Sequence, residues 1–167
     1  MIRCESFDDY STIDDLYKQA FEQDNEAKLV EKIRGSSYYL PQLALVAQID
    51  HNVVGHILLS RINLVGEETL QVLGLAPLAV LPKFQRQGIG SALVRVSLET
   101  ADAMSEALVI VLGHPLFYPR FGFKPSVNYQ IESPFPVPQN AFMVKPLRNY
   151  QKHYTGTVVY SPAFQGV

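Results

Sequence analysis

Cysteine is scarce in this chain. Its 167 residues contain one, Cys4, which excludes an intrachain disulfide and, with it, a stapled secreted scaffold. An excess of positive charge is also missing: 14 Lys and Arg stand against 16 Asp and Glu, a net charge of −2. A general nucleic-acid or anionic-membrane surface needs a basic field, so neither partner is expected, and only a local basic patch stays open. No apolar run reaches transmembrane length. Residues 1–6 are too polar to open a signal peptide, and the expectation is a cytoplasmic protein. Repeats, low-complexity tracts and linkers are absent from the first 125 residues, and no metal-ligand set stands out.

What is present is an ordinary globular composition, 47% hydrophobic and 18% charged, in a length that suits one domain with one core. We take 1–167 as a single domain, with 126–167 as its less regular tail strands. Residues 1–6 read as a first strand. Ser11-Thr12-Ile13-Asp14 reads as a helix start, a hydroxyl followed by an acid three residues on. Ile13, Leu16, Tyr17, Ala20 and Phe21 then recur at helical spacing. A second helix is expected over 26–34, ended by Gly35. The period changes at 43–49 and 53–62, two strands around an Asp50-His51-Asn52 turn. Residues 69–80 form a third strand, in which Pro77 removes a ladder donor and so marks a bulge.

A loop at 82–90 leads into a helix over 89–104. Residues 108–112 are wholly apolar, as expected of a strand buried on both faces. Pro115 is placed to open a short helix that ends at Phe121-Gly122-Phe123. Farther on, 128–131 and 141–144 are candidate edge strands, and the last twenty residues show no readable pattern. The order β-α-α-β-β-β-α-β-α-β makes an α+β or mixed α/β domain.

The chemistry is concentrated at 85–90. A strand enters a loop that opens a helix, whose first N–H groups have no intrahelical acceptor. The helix dipole adds a partial positive charge there. Gly88 and Gly90 let a bulky anion reach the backbone, and such a helix end binds phosphates. Two phosphate motifs fail. The P-loop needs Gly-Lys-Ser/Thr, but Gly90 precedes Ser91-Ala92. The dinucleotide fingerprint needs a third glycine, and Leu93 stands in its place. A third pattern, Gln/Arg-x-x-Gly-x-Gly/Ala, fits Gln85-Arg86-Gln87-Gly88-Ile89-Gly90 at every position. An ordinary glycine-containing turn is the competing reading.

The segment from Leu78 to Leu93 resembles motif A of the GNAT superfamily of N-acetyltransferases. Element order, Val80-Leu81-Pro82 before the loop and Phe117-Tyr118…Gly122-Phe123 after it agree, over about residues 1–125. Gly55-His56-Ile57 is similar to a bacterial subgroup of predicted acetyltransferases. The resemblance implies a central, mostly antiparallel sheet with a splayed parallel strand pair, flanked by helices. It implies acetyl-CoA (coenzyme A) as cofactor, its pyrophosphate held by Gln85, Arg86, Gln87, Gly88, Ile89, Gly90 and Ser91. Its pantetheine arm would run along Leu78, Ala79 and Val80. Lys83 and Arg86 either pair with the nucleotide phosphates or stay solvated.

The resemblance also implies a catalytic acid, Tyr118, that protonates the departing thiolate. A phenol of pKa ~10 giving its proton to a thiolate of ~8.5 goes uphill by roughly 2 kcal/mol. Many relatives carry an asparagine where this chain has Val111, and His114 occupies the following turn. His114 is open to three readings: pantetheine contact, proton transfer or a cap. A general base is missing, since 74–81 holds no acid and Glu67 and Glu68 read as turn residues. His56 is a base candidate or a satisfied structural group; an ordered water or a neutral amine would serve instead. The oxyanion would be held by N–H groups near 78–80. Cys4 reads as a buried, inert thiol.

The implied function is direct acetyl transfer from acetyl-CoA to a primary amine, on a small molecule or a protein, by a monomer or homodimer. The alternative is a catalytically inactive coenzyme A sensor. In this superfamily the first helices, the early hairpin and the tail build the acceptor pocket. The stretches 133–138 and 150–160 either wall that pocket or make a dimer contact.

Overall fold

The computed structural model describes residues 1–166 as one nine-stranded sheet with helices on both faces. The strands are β1 (Ile2–Cys4), β2 (Ala44–Ile49), β3 (Asn52–Val65), β4 (Thr69–Val80), β5 (Leu108–Leu112), β6 (Lys124–Pro125), β7 (Ile131–Glu132), β8 (Phe142–Pro146) and β9 (Gly156–Val159). The helices are α1 (Tyr10–Phe21), α2 (Asn25–Arg34) and α3 (Ile89–Ala103). Neighbours run β1-β2-β3-β4-β5-β8-β6, and β9 pairs with the end of β3 that β2 leaves uncovered. All pairings are antiparallel except β4–β5 and β7–β9. No helix among the described residues is long and apolar enough to cross a membrane.

The centre of the sheet is a fork. β4 and β5 pair only at Leu73↔Val109 and Gly74↔Ile110. Beyond Gly74, β4 keeps its partner β3 on one side and has no strand on the other. The expected bulge lies there: Ala76 and Pro77 of β4 face Leu58 alone on β3. An extra residue reverses the alternation of faces. Before the bulge, Leu73 and Leu75 pack toward α3, against Leu93 and Val94. After it, Ala79 packs toward α1 and α2, while Leu78 takes up the α3 side. The bulge therefore aims Val80 toward the loop that follows.

Local chemistry explains most boundaries. Asp50 and His51 both have positive φ, 49° and 67°, as a two-residue mirror-type hairpin turn requires. Gly35 closes α2 through its N–H to Glu31 O. Gly122 ends the 3-10 turn Tyr118–Phe121 with φ 90°.

Several expectations need correction. The N-terminal cap is Ser6-x-x-Asp9, not Ser11-Thr12-Ile13-Asp14: Ser6 N–H donates to Asp9 Oδ2 at 2.8 Å and a 3-10 turn runs straight into α1. Both segments have the same spacing, but Arg3 also holds Asp9, at 2.7 and 2.9 Å, and so favours the earlier start. Cys4 is exposed, because β1 is an edge strand and its last residue turns outward. Pro115 sits in the turn before the short helix, whose own first turn holds Pro119. Residues 126–129 form a 3-10 turn, and only Ile131–Glu132 is strand.

Candidate active site

The strand-loop-helix segment opens a cavity of about 380 Å³ on the α3 side of the fork. Val80, Gln85, Arg86, Gly88, Ile89, Gly90 and Ser91 line it. Leu78, Ala79 and Gln87 do not, although Leu78 and Ala79 lie on the unpaired arm of β4, whose backbone faces the slot. Gln87 points back along the loop, its Nε2 at 3.5 Å from Lys83 O. Lys83 stays outside beside the Phe84 ring, so Arg86 is the loop cation at the cavity.

The loop is shaped for an anion. Gly88 precedes α3 with φ 84°, a conformation that L side chains rarely adopt. The first intrahelical bond is Ala92 N–H to Gly88 O, which leaves the N–H groups of Ile89, Gly90 and Ser91 for a ligand. Gly90 has ordinary helical geometry. A Cβ there would meet only Val80 and Phe117, at 3.8 and 3.9 Å. Nothing in the chain demands glycine at 90, but a small residue there leaves the helix end open to a bulky phosphate. Coenzyme A fits these residues on that ground.

Three cavity residues escaped the sequence reading: Phe84, Phe117 and Arg120. Arg120 stacks its guanidinium 4.8 Å from the Phe117 ring centroid and donates from Nε to Phe117 O at 3.3 Å. The signal available for Phe117 and Arg120 was their place in the Phe-Tyr-x-x-x-Gly-Phe segment, where only the tyrosine was singled out; Phe84 precedes the loop motif directly.

Tyr118 is buried at the exit of β5, edge-on to Phe117 and Phe123. A Cβ on Gly113 would collide with its ring, so that glycine is required for the tyrosine's position. Burial alone pushes its phenol up to about 12, with no hydrogen bond contributing. It is protonated at neutral pH. His114 acts as a cap: its Nδ1 accepts the Leu116 N–H at 3.2 Å, and its carbonyl accepts the Phe117 N–H at 3.1 Å. Val111 is buried in the α3-side core and pairs with Met143.

His56 is fully buried with both ring nitrogens engaged, Nδ1 2.8 Å from Tyr17 Oη and Nε2 2.8 Å from Glu5 Oε1. Glu5 also accepts from Arg34 at 2.9 and 3.0 Å and from Tyr39 Oη at 2.7 Å. Burial opposes the charge on Glu5, but the His56, Arg34 and Tyr39 hydrogen bonds together outweigh it and hold its pKa at about 2. Burial keeps His56 below its ordinary value against the pull of Glu5. The consistent tautomer is neutral, with Nε2–H donating to Glu5 and Nδ1 accepting from Tyr17. Tyr17 Oη, its proton committed to His56 Nδ1, also lies 3.2 Å from Pro77 O, which places the network beside the bulge. This is a satisfied structural group that braces the fork, and sequence reasoning saw only its histidine.

A second cavity, about 230 Å³, opens on the opposite side of the fork between α2 and the tail. It joins Leu29, the β4 residues Gly74 to Ala76, Ile110 and Leu112 of β5, and Phe135, Tyr160 and Phe164. A larger groove between α1 and α2, about 480 Å³, takes no residue from β4 or β5.

Comparison with known proteins agrees with this geometry. A family model for the acetyltransferase (GNAT) domain matches residues 41–125. The N-acetyltransferase YhbS of Escherichia coli (strain K12) is 36% identical over 166 residues, 98% of each chain. The crystal structure of Escherichia coli YhbS in complex with CoA superposes with a TM-score of 0.89 at 36% identity, covering 98% of this chain and 91% of that one. A GNAT family acetyltransferase from Brucella melitensis in complex with acetyl-CoA gives a TM-score of 0.81 at 29% identity, over 99% and 97%. The likeness to YhbS extends through the tail, where the sequence alone matched weakly.

Proposed function

The chain belongs to the GNAT acetyltransferase family and is an N-acetyltransferase, and from this we propose that it moves the acetyl group of acetyl-CoA directly to a primary amine, without a covalent enzyme intermediate. The observation that carries the reading is the start of α3: three free N–H groups beside a glycine that the fold itself does not need. In this reading Gln85 to Ser91 hold the pyrophosphate, and Leu78, Ala79 and Val80 hold the pantetheine arm against the unpaired edge of β4. Relatives with CoA and acetyl-CoA bound support that assignment.

The amine nitrogen attacks the acetyl carbonyl, the C–S bond breaks, and the thiolate takes the Tyr118 proton. Solvent returns that proton to the phenol, and the amine proton leaves to water. A free histidine or carboxylate lines neither cavity at the fork, so an amine arriving neutral is the form that reacts. The whole chain acts as one domain, an assignment supported by β8 on β5 and β9 on β3. A cytoplasmic setting suits a chain with one free cysteine.

The absence of a protein base at the fork favours one rival, a coenzyme A sensor without catalysis. Calorimetric titration with acetyl-CoA, followed by thiol release over an amine panel, separates the two. Micromolar binding with thiol release supports the transferase. Binding without release for every amine supports the sensor, and no binding by folded protein removes both.

A further inference from the structure

The cavity on the tail side of the fork has no ionisable carboxylate, ammonium, guanidinium or imidazole in its wall. Leu29 and Leu112 stand on its α2 and β5 sides, and Phe135, Tyr160 and Phe164 close it from the tail. The aromatic rings are organised: Tyr160 stacks on Phe135 at 6.1 Å and lies 4.9 Å from Phe164. Burial raises the Tyr160 phenol to about 12, so it stays neutral.

One feature marks this surface as open to a ligand. Leu112 and Phe135 are 42% and 46% exposed at its mouth, large apolar side chains left in water next to a hollow.

Charge decides the class of ligand. A second ammonium group would be buried here without a counter-ion, at a cost of several kcal/mol. A diamine or polyamine is therefore disfavoured in this cavity. The α1–α2 groove has Asp14, Asp15 and Glu31, but no residue from either arm of the fork. Size narrows the class further. An apolar cavity of about 150 Å³ admits benzene, so 230 Å³ admits an aryl-ethyl or branched aliphatic group.

We propose that this cavity holds the body of the acceptor, and that the acceptor is a primary amine carried on an uncharged aromatic or branched aliphatic group. The proposal rests on the amine-acetylation reading above. The amine enters from the tail side, the acyl donor from the α3 side, and the two meet where β4 and β5 part.

The test begins without turnover. The full chain saturated with coenzyme A is titrated by calorimetry with 2-phenylethylamine, isopentylamine and putrescine. The apolar amines are expected to bind at least about tenfold more tightly than putrescine, the discrimination that a few buried methylenes provide. Phe135→Asp, at a half-exposed position, is expected to weaken 2-phenylethylamine at least about tenfold and leave coenzyme A affinity unchanged. Equal or tighter binding of putrescine would overturn the proposal on the native protein alone, whatever the variant does. So would a Phe135→Asp protein that loses hexanoyl transfer but acetylates 2-phenylethylamine normally, because the cavity would then hold the acyl chain. Apolar-amine binding without thiol release from acetyl-CoA would sink the transferase reading and keep the cavity as an apolar-amine site. Turnover confined to putrescine would keep the transferase reading and sink the cavity assignment.

Discussion

The two sides of the fork are built by different means. On the α3 side, eight of the ten wall residues fall between Val80 and Ser91, one strand end running into one helix start. On the tail side the wall is gathered from Leu29, 74–76, Ile110, Leu112, Phe135, Tyr160 and Phe164, segments that meet only once the sheet is complete. One side is a property of a local sequence and offers backbone N–H groups; the other is a property of tertiary packing and offers side chains. The first can therefore be broken by adding atoms to a loop, and the second re-specified by changing a side chain.

The sharpest way to break this contrast is to attack the loop. Gly88→Glu combined with Gly90→Glu places carboxylates where phosphate charge should lie. Acetyl-CoA affinity is expected to fall about 1,000-fold by calorimetry, since like charges brought together cost several kcal/mol. Amine binding on the tail side should survive. Loss of both would show that the sides are not separable.

The next largest effect concerns the brace beneath the fork. Glu5 has a depressed pKa, about 2 against 4.5, so its contribution is present above pH 4.5 and is lost as pH falls toward 2. That shift corresponds to about 3 kcal/mol. Burial also lowers the pKa of His56, so the unfolded state takes up the proton first as pH falls through 6.5, and stability drops in the same direction. Glu5→Gln is expected to unfold earlier at pH 7 and to show a much flatter loss between pH 5 and 2. A parallel pH profile for variant and native protein would remove Glu5 as the cause.

Tyr118→Phe tests the proposed acid, which lies behind Phe117 of the donor cavity and in neither cavity wall itself. It is expected to lower kcat about 100-fold, the usual size of a general-acid contribution, with acetyl-CoA affinity unchanged. An unchanged kcat would assign Tyr118 to packing alone. The smallest effect belongs to His114→Ala. It removes one hydrogen bond to Leu116 N–H while the His114 carbonyl still holds Phe117. A stability loss of about 1 kcal/mol and less than about a threefold change in kcat are expected.

What was legible in the sequence follows the same divide. The Gln85–Gly90 pattern, the strand limits of β4 and β5, and the bulge at Pro77 all leave marks within a few residues. The Glu5–His56–Tyr17 network does not. Its members are 51 and 39 residues apart, and nothing near Glu5 says that a histidine will face it. The two Ser-x-x-Asp segments near the N-terminus were indistinguishable until Arg3 was seen to hold Asp9. The tail resisted for a related reason. β7 has two residues and β9 has four, too few to show a period, and both are fixed by pairing with distant strands.

Gly90 has a consequence for anyone who evolves or engineers this protein. It lies in the first turn of a helix with ordinary geometry and room for a methyl group. Alanine there should raise stability by about 0.5–1 kcal/mol, because the unfolded chain loses freedom and the helix gains propensity. The same methyl group would rest in ordinary contact with Val80 and Phe117, and the Gly-x-Gly/Ala pattern already admits it. A selection for heat resistance alone would therefore reward Gly90→Ala at little expense to the donor site, whereas Gly88, with its positive φ, has no such freedom.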